Sequence, residues 1–403
     1  MSVADVVVVG GGVAGISTAT ALRAGGFEGR LTIVDAGEVP YDRPPLSKAY
    51  LSGHKDLAQI ALQPESWYDD QQIVLRNGST VAALRPAAGT VELTSGDQLR
   101  ADRVVLATGG SAARPKLPGV DLDAVHVLRT VTDADRLRKV LLPGARILVV
   151  GAGLIGAEVA STAVELGAEV TLVDPLAQPL GAVIGPDAAD WLHGLHVTHG
   201  VRTLRSGVTG FEEAADGVVA HVAGRPEPFD AVVLGVGMVP ALSLAADVGI
   251  AVDAGIRVDA GQQTSIPSVL AVGDPTRRVV EGALRRRAEH WEAAQHDGAR
   301  AAATILGAPP PRETTTWFWT DRYGLHLEAV GSMSDATSNV VRGELGQPPF
   351  SVFGFRDGRV VAAVAVNDAN AVRAARRMID RRAPIDPAQV ADSDTDLRKL
   401  LRG

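Results

Sequence analysis

Four consecutive valines, Val6 to Val9, lead into Gly10-Gly-Gly-Val-Ala-Gly15. A short apolar run that stops at glycine predicts a buried parallel strand, because a strand covered on both faces has no reason to alternate. A helical stretch from Ile16 to Arg23 follows, and then Leu31-Thr-Ile-Val34 closes on Asp35. Strand, glycine turn, helix and a second strand ending in an acid make one βαβ dinucleotide unit. Gly10 permits the tight turn, Gly12 lets backbone N–H groups approach a pyrophosphate, and Gly15 lets helix and strand pack closely. Phosphates fall at the helix N-terminus, where unpaired N–H groups and the macrodipole favour negative charge. Asp35 stands where a carboxylate accepts ribose hydroxyls. Alone, the unit leaves the dinucleotide open.

The pattern then recurs. Arg146-Ile-Leu-Val-Val150 runs into Gly151-Ala-Gly-Leu-Ile-Gly156, a helix through Glu165, and Val170-Thr-Leu-Val173 ending at Asp174. Even the helix alanine and the glycine beyond it repeat, Ala19 with Gly26 and Ala160 with Gly167. Two copies predict two dinucleotides, or one in each of two related lobes. Asp174 favours a free ribose 2′-OH, and Pro175 to Leu180 contains no basic side chain, so NADH is expected over NADPH.

Between the copies, Ser79 to Leu84, Thr90 to Leu93 and Arg103 to Leu106 read as strands, with Asn77-Gly78 and Ser95-Gly96-Asp97 as hairpin-type turns. The last of these strands reaches Ala107-Thr-Gly109, and a first lobe closes near residue 112. Asp230 to Gly237 echoes this ending in the second lobe, and Ser268 to Asp274 is a buried strand delivering a carboxylate. A helix-like Arg287 to Gln295 precedes a break at Pro309-Pro-Pro311. From Trp317 the character changes. Strands at Leu325 to Val330, Asn339 to Leu345 and Phe350 to Val366 (split at Asp357-Gly358), a helix from Ala369 to Arg382 and an Asp-rich tail predict a small α+β domain.

At 403 residues the chain has room for two or three cores, and a net charge of −8 argues against a general nucleic-acid binder. The sequence has no cysteine. That removes disulfides, thiolate metal sites, cysteine-ligated clusters and any dithiol relay. The nine histidines show no metal-ligand spacing, so no metal is expected. With no secretory signal and no apolar run near membrane-spanning length, a cytoplasmic protein without membrane contact is expected.

Several stretches coincide: Gly10 to Asp35, Tyr41-Asp-Arg-Pro-Pro-Leu-Ser-Lys48, Ala107-Thr-Gly109, Gly151 to Asp174, Ala271-Val-Gly-Asp274, Glu289-His-Trp291 and Trp317-Phe-Trp-Thr-Asp321. Together they make the chain resemble the FAD-dependent, NADH-oxidising ferredoxin reductases of bacterial oxygenase systems. The resemblance implies an α/β fold with two Rossmann-like, glutathione-reductase-like dinucleotide domains and a C-terminal α+β domain. It places the FAD domain at 1–111 and 241–316, the NAD domain at 112–240 and the C-terminal domain at 317–403. It assigns Gly10, Gly12, Ala14, Gly15, Asp35, Arg43, Lys48, Val81, Thr108, Gly109, Arg129, Asp274, Trp291 and Trp319 to FAD. Gly151, Gly153, Ile155, Gly156, Asp174 and Gly235 go to NADH, with Glu158 near the nicotinamide. Lys48 and Glu158 are the catalytic candidates, Lys48 as the cation that offsets the charge of the reduced flavin.

The implied partner is an acidic iron–sulfur ferredoxin, 2Fe–2S by preference, serving a haem monooxygenase or a Rieske-type dioxygenase. Arg277-Arg278, Arg285-Arg-Arg287, Arg373, Arg376 and Arg377 are candidate faces for steering it. Without cysteine, the dithiol-using relatives of this fold are excluded. A flavin-dependent NADH oxidase or monooxygenase stays open, as does an NADH-responsive regulatory flavoprotein of the apoptosis-inducing-factor type. The acidic total disfavours the regulatory reading.

Overall fold

The computed structural model describes residues 3–401, so the outermost residues of the sequence-derived domain ranges (1–2 and 402–403) lie outside the described residues. The chain divides into two compact units. The first is Met1–Arg43, Asp56–Ser111 and Met238–Glu313; the second is Pro44–Lys55, Ala112–Gly237 and Thr314–Gly403.

In the first unit, strand Asp5–Val9 lies inside a five-stranded parallel sheet, between Arg30–Val34 and Arg103–Leu106, with Ile73–Arg76 and Val269–Ala271 at the edges. Every residue of Asp5–Val9 is buried, as the unbroken valine run requires. Helices Val13–Ala24 and Trp291–Leu306 pack on each other over this sheet. The crossing is close because a Cβ at Gly298 would lie 2.7 Å from the Thr18 nitrogen. A second layer, Val81–Arg85, Thr90–Leu93 and Gln98–Arg100, is an antiparallel meander.

The second unit repeats the plan. Arg146–Val150 sits between Glu169–Asp174 and Ala231–Leu234, flanked by Arg202–Arg205 and Val125–Val127, all parallel. A three-stranded antiparallel sheet, Val208–Ala214, Gly217–Val222 and Arg225–Phe229, covers one side through Phe211, Val218 and Phe229. The C-terminal sheet has five antiparallel strands ordered Trp317–Arg322, Leu325–Gly331, Arg359–Val366, Gln347–Arg356 and Ser338–Glu344. Helix Ala369–Arg381 packs on it through Val372, Ala375 and Met378.

Two local expectations change. Asn77-Gly78 is not a hairpin turn: Ile73–Arg76 pairs in parallel with Arg30–Val34, and the chain then leaves that sheet for the meander. The helix read from Arg287 begins only at Trp291 and continues to Leu306, well past Gln295. Trp317–Arg322 is a strand whose buried residues alternate, Phe318, Thr320 and Arg322. The Asp357-Gly358 hairpin forms as expected, both residues having positive φ (51° and 69°), the requirement of a type I′ turn. The acidic tail is held in place: the Arg342 guanidinium donates to the carbonyls of Val390, Asp392, Ser393 and Thr395.

Candidate dinucleotide turns and the Lys48–Glu158 centre

Both glycine turns are dictated by backbone crowding. Gly10 has φ +112°, and a Cβ there would lie 2.3 Å from the Ala107 carbonyl oxygen; one on Gly15 would lie 2.0 Å from the Gly10 oxygen. At the second turn Gly151 has φ +98° and a Cβ would meet the Gly235 oxygen at 2.5 Å, while one on Gly156 would meet the Gly151 oxygen at 1.9 Å. Gly12 and Gly153 differ. A Cβ on Gly153 meets nothing within 4 Å, and one on Gly12 meets only the Arg43 guanidinium at 4.0 Å. No neighbouring protein atom crowds either Cβ position, and both glycines N-cap twelve-residue helices whose first N–H groups point outward. Backbone left bare beside a helix N-terminus fits close approach by a pyrophosphate.

The acids repeat the same geometry. Asp35 accepts the Gly11 N–H on one oxygen and the Gly37 N–H, at 2.7 Å, on the other. Asp174 accepts Ala152 N–H and Leu176 N–H, both at 2.8 Å. Each carboxylate thereby braces its own turn and keeps lone pairs for a diol. Ile155 and Val236, beside the second turn, expose 42% and 41% of their surface, an apolar rim for a planar ring.

Around the first turn, Gly273 (φ +77°) passes so near the helix that a Cβ would lie 2.9 Å from that of Ala14, which positions the following Asp274. Thr108 donates to the Ala241 carbonyl at 3.1 Å, next to Gly109 with φ +59°. Trp291 donates its indole N–H to Asp42 at 2.8 Å, adjoining Arg43, and buried Val81 starts its strand. Lys48, Arg129 and Trp319 belong to the second unit. The Arg129 N–H is held by Asp133 at 3.1 Å within the capping region of helix Val131–Arg138.

The second unit also contains a charged centre. Lys48 Nζ lies 3.1 Å from Glu158 Oε1 and 3.5 Å from Asp321 Oδ2. Glu158 is buried and also accepts Ser47 Oγ–H at 2.5 Å and Thr320 Oγ1–H at 2.7 Å. The Trp319 ring centroid stands 5.8 Å from Lys48 Nζ, within cation–π range. Sequence reading selected Lys48, Glu158 and Trp319 but not Ser47, Thr320, Asp321 or Arg322. The available signal was the two-residue period of Trp317–Arg322, which puts Thr320 and Arg322 on the same inward face as Phe318. Arg205 was also missed. It pairs in register with Asp174 on the neighbouring strand, so both side chains leave one face of the sheet, and Arg205 is exposed. The candidate steering arginines are partly neutralised: Arg277 is paired with Asp253, Arg278 with Glu313 and Arg287 with Glu289.

Fold and turns define a two-dinucleotide oxidoreductase built from duplicated parallel sheets, with an added C-terminal domain. The pyridine nucleotide-disulphide oxidoreductase family model matches residues 4–298 and the reductase C-terminal model residues 317–401, and the chain belongs to this family, in its ferredoxin reductase branch. It is 38% identical over 415 residues to the anthranilate 1,2-dioxygenase system ferredoxin–NAD(+) reductase component of Burkholderia cepacia, covering 100% of both chains. To putidaredoxin reductase of Pseudomonas putida it is 37% identical over 411 residues, 98% of this chain and 96% of the relative. The solved covalent putidaredoxin reductase–putidaredoxin complex superposes with a TM-score of 0.92 at 34% identity, covering 100% of this chain and 99% of that one.

Proposed function

We propose that the chain is an FAD-dependent ferredoxin reductase that takes a hydride from NADH and passes single electrons to an iron–sulfur ferredoxin, which in turn feeds a monooxygenase or dioxygenase. The observation that carries this reading is the duplicated turn with its bare second glycine, in a chain whose full-length relatives are named as reductases of oxygenase systems. Bound FAD supplies the two-electron to one-electron conversion. In the first unit Gly10, Gly12, Ala14 and Gly15 cradle its pyrophosphate, Asp35 takes the ribose, and Asp274 the polyol. Arg43, Val81, Thr108, Gly109 and Trp291 complete that set, while Lys48, Arg129 and Trp319 keep the flavin roles implied by the resemblance. In the second unit Gly151, Gly153, Ile155, Gly156, Asp174 and Gly235 hold NADH, and Glu158 orients Lys48. The domain assignment follows: 1–111 and 241–316 for FAD, 112–240 for NADH, and 317–403 completing the flavin face.

Among the described residues no helix is long and apolar enough to cross a membrane, and the reading includes a cytoplasmic setting. The ferredoxin is taken to be a 2Fe–2S protein with an acidic docking face.

Anaerobic mixing with NADH tests the proposal, followed by a 2Fe–2S ferredoxin while flavin absorbance is recorded. Bleaching on NADH and recovery on ferredoxin are expected. Bleaching without onward transfer to any ferredoxin points to the oxidase or regulatory alternatives.

Cofactor choice gives a second test. Asp174 makes kcat/KM higher for NADH than for NADPH, but Arg205, exposed beside it on the next strand, offers a cation to a 2′-phosphate. Arg205→Ala is expected to widen the NADH-over-NADPH ratio by roughly tenfold, equivalent to about 1.4 kcal/mol, through loss of NADPH turnover alone. An unchanged ratio removes Arg205 from the site, and a parent enzyme faster with NADPH overturns the choice of NADH.

A further inference from the structure

Lys48 is not the sole cation beside Glu158. Arg322, two residues along the strand from Thr320, is buried in the same interior, and its Nε donates to Thr320 Oγ1 at 3.4 Å. A hydroxyl that accepts from a guanidinium must turn its own proton elsewhere, and the acceptor within reach is Glu158 Oε1 at 2.7 Å. Arg322 therefore fixes the direction of the Thr320–Glu158 bond. Burial pulls the Arg322 guanidinium down to about 10, and the nearby Glu158 carboxylate opposes that pull, so the two charges act on each other inside the fold. At neutral pH Arg322 stays a cation.

The histidines near it are held neutral. On helix Pro186–Thr198, His193 and His196 are both held below the ordinary histidine range, first by burial and then by Arg322, with His196 at about 3. His196 Nδ1 is hydrogen-bonded to the Tyr323 hydroxyl at 2.6 Å, and burial pushes that phenol up. Among the described residues, the carboxylate that acts on the guanidinium is Glu158.

Lys48 is placed differently. It reaches Glu158 and also Asp321, a half-exposed carboxylate whose other oxygen is 2.6 Å from His326 Nδ1. A lysine between two carboxylates can leave either, and a buried carboxylate whose cation leaves is costly unless a second positive charge remains near it.

We propose that Arg322 is a positioning residue: a second buried cation which, acting through Thr320, holds the negative charge of Glu158 when Lys48 turns away from it. Lys48 can then move toward Asp321 or a bound cofactor without a proton replacing it in the interior. The purpose of that freedom rests on the flavin reading above; the charge of Glu158 does not, and it is measurable with or without flavin.

The test is the infrared band of a protonated carboxyl group, recorded at neutral pH and assigned to Glu158 by its loss on adding Glu158→Gln. No such band is expected in the parent protein or in Lys48→Met. It is expected to appear in Lys48→Met/Arg322→Gln and to vanish again when arginine is replaced by lysine instead, since Arg322→Lys keeps the charge. A band already present in Lys48→Met overturns the proposal, as does a Lys48→Met/Arg322→Gln protein without one. Should Arg322→Gln not fold, Lys48→Met/Thr320→Val tests the relay without touching the guanidinium. The band is expected there and not in Lys48→Met/Thr320→Ser; its absence from the valine variant refutes the relay.

Discussion

Glu158→Ala is expected to destabilise the protein by about 3–5 kcal/mol, the range found when one partner of a buried charge pair is removed. The truncation does more than delete a carboxylate. Ser47 and Thr320 lose their common acceptor, Lys48 loses the nearer of its two anions with only 18% of its side chain exposed, and the Arg322 cation is left buried without a countercharge. Among the described residues Arg322 Nη2 already lacks a hydrogen-bond partner, so the guanidinium is incompletely satisfied even before the substitution. Glu158→Gln separates charge from hydrogen bonding. Its carbonyl oxygen can serve Lys48 and Thr320 while the Ser47 hydroxyl rotates to accept from the amide. Its cost is expected to be smaller, about 1–3 kcal/mol, the penalty of weakened bonds to charged groups. Urea unfolding of both variants beside the parent measures this. Equal losses for alanine and glutamine, or an alanine loss under about 1 kcal/mol, would show that the centre is not the buried charge pair described.

What could be read from the sequence follows from the range over which each constraint acts. The βαβ units were legible because their determinants are local: Gly10 and Gly15, or Gly151 and Gly156, are forced by carbonyl oxygens a few residues away or on the adjacent strand. The Lys48–Glu158 centre gathers residues from positions 47–48, 158 and 320–326, and no local period links them. Resemblance supplied the roles of Lys48 and Glu158, whereas Thr320 and Arg322 required knowing that their strand faces helix Leu154–Glu165. Asn77-Gly78 and Asp357-Gly358 make the same point about turns. Both dipeptides suit a hairpin, yet only the second lies between strands that pair with each other. Arg205 shows it for charge: no basic side chain follows Asp174 closely in sequence, and the cation arrives from the next strand through parallel register.

Duplication also explains why the two turns can serve different nucleotides on one backbone plan. The steric requirements at Gly10 and Gly151, and the bracing of Asp35 and Asp174, are the same in both. What differs is the next layer. The first turn is backed by Gly273 and Asp274 and by the crossing helix Trp291–Leu306, whereas the second is rimmed by exposed Ile155 and Val236. A braced, enclosed turn suits a permanently held cofactor, and an open apolar rim suits a nucleotide that comes and goes.

That enclosing layer contains a buried acid, and it gives the second large expected effect. Burial raises Asp297 to about 6, despite the opposing influence of Arg300, the Gly273 N–H and Arg278. In the unfolded chain the same group titrates near 3.8. A raised folded value means that its stabilising contribution is complete below about pH 3.8 and is lost as pH rises through about 6, a change of about 3 kcal/mol at 1.36 kcal/mol per unit. Other carboxylates titrate over the same window, so the quantity to measure is the stability difference between the parent and Asp297→Asn. That difference is expected to shift by about 2 kcal/mol between pH 4 and pH 7, with the parent losing ground as pH rises. The geometry adds a functional counterpart. Asp297 Oδ1 accepts from Gln262 at 2.7 Å and Arg300 at 3.0 Å, whereas among the described residues Oδ2 accepts only the Gly273 N–H at 3.2 Å. A proton therefore settles on Oδ2 and displaces the bond that holds the turn before Asp274. Flavin release from the parent should quicken as pH falls through about 6, while Asp297→Asn, which cannot present that carboxylate, releases flavin at one faster rate across the range. Parent and variant curves that run parallel with pH in both measurements would mean that Asp297 does not titrate in this window.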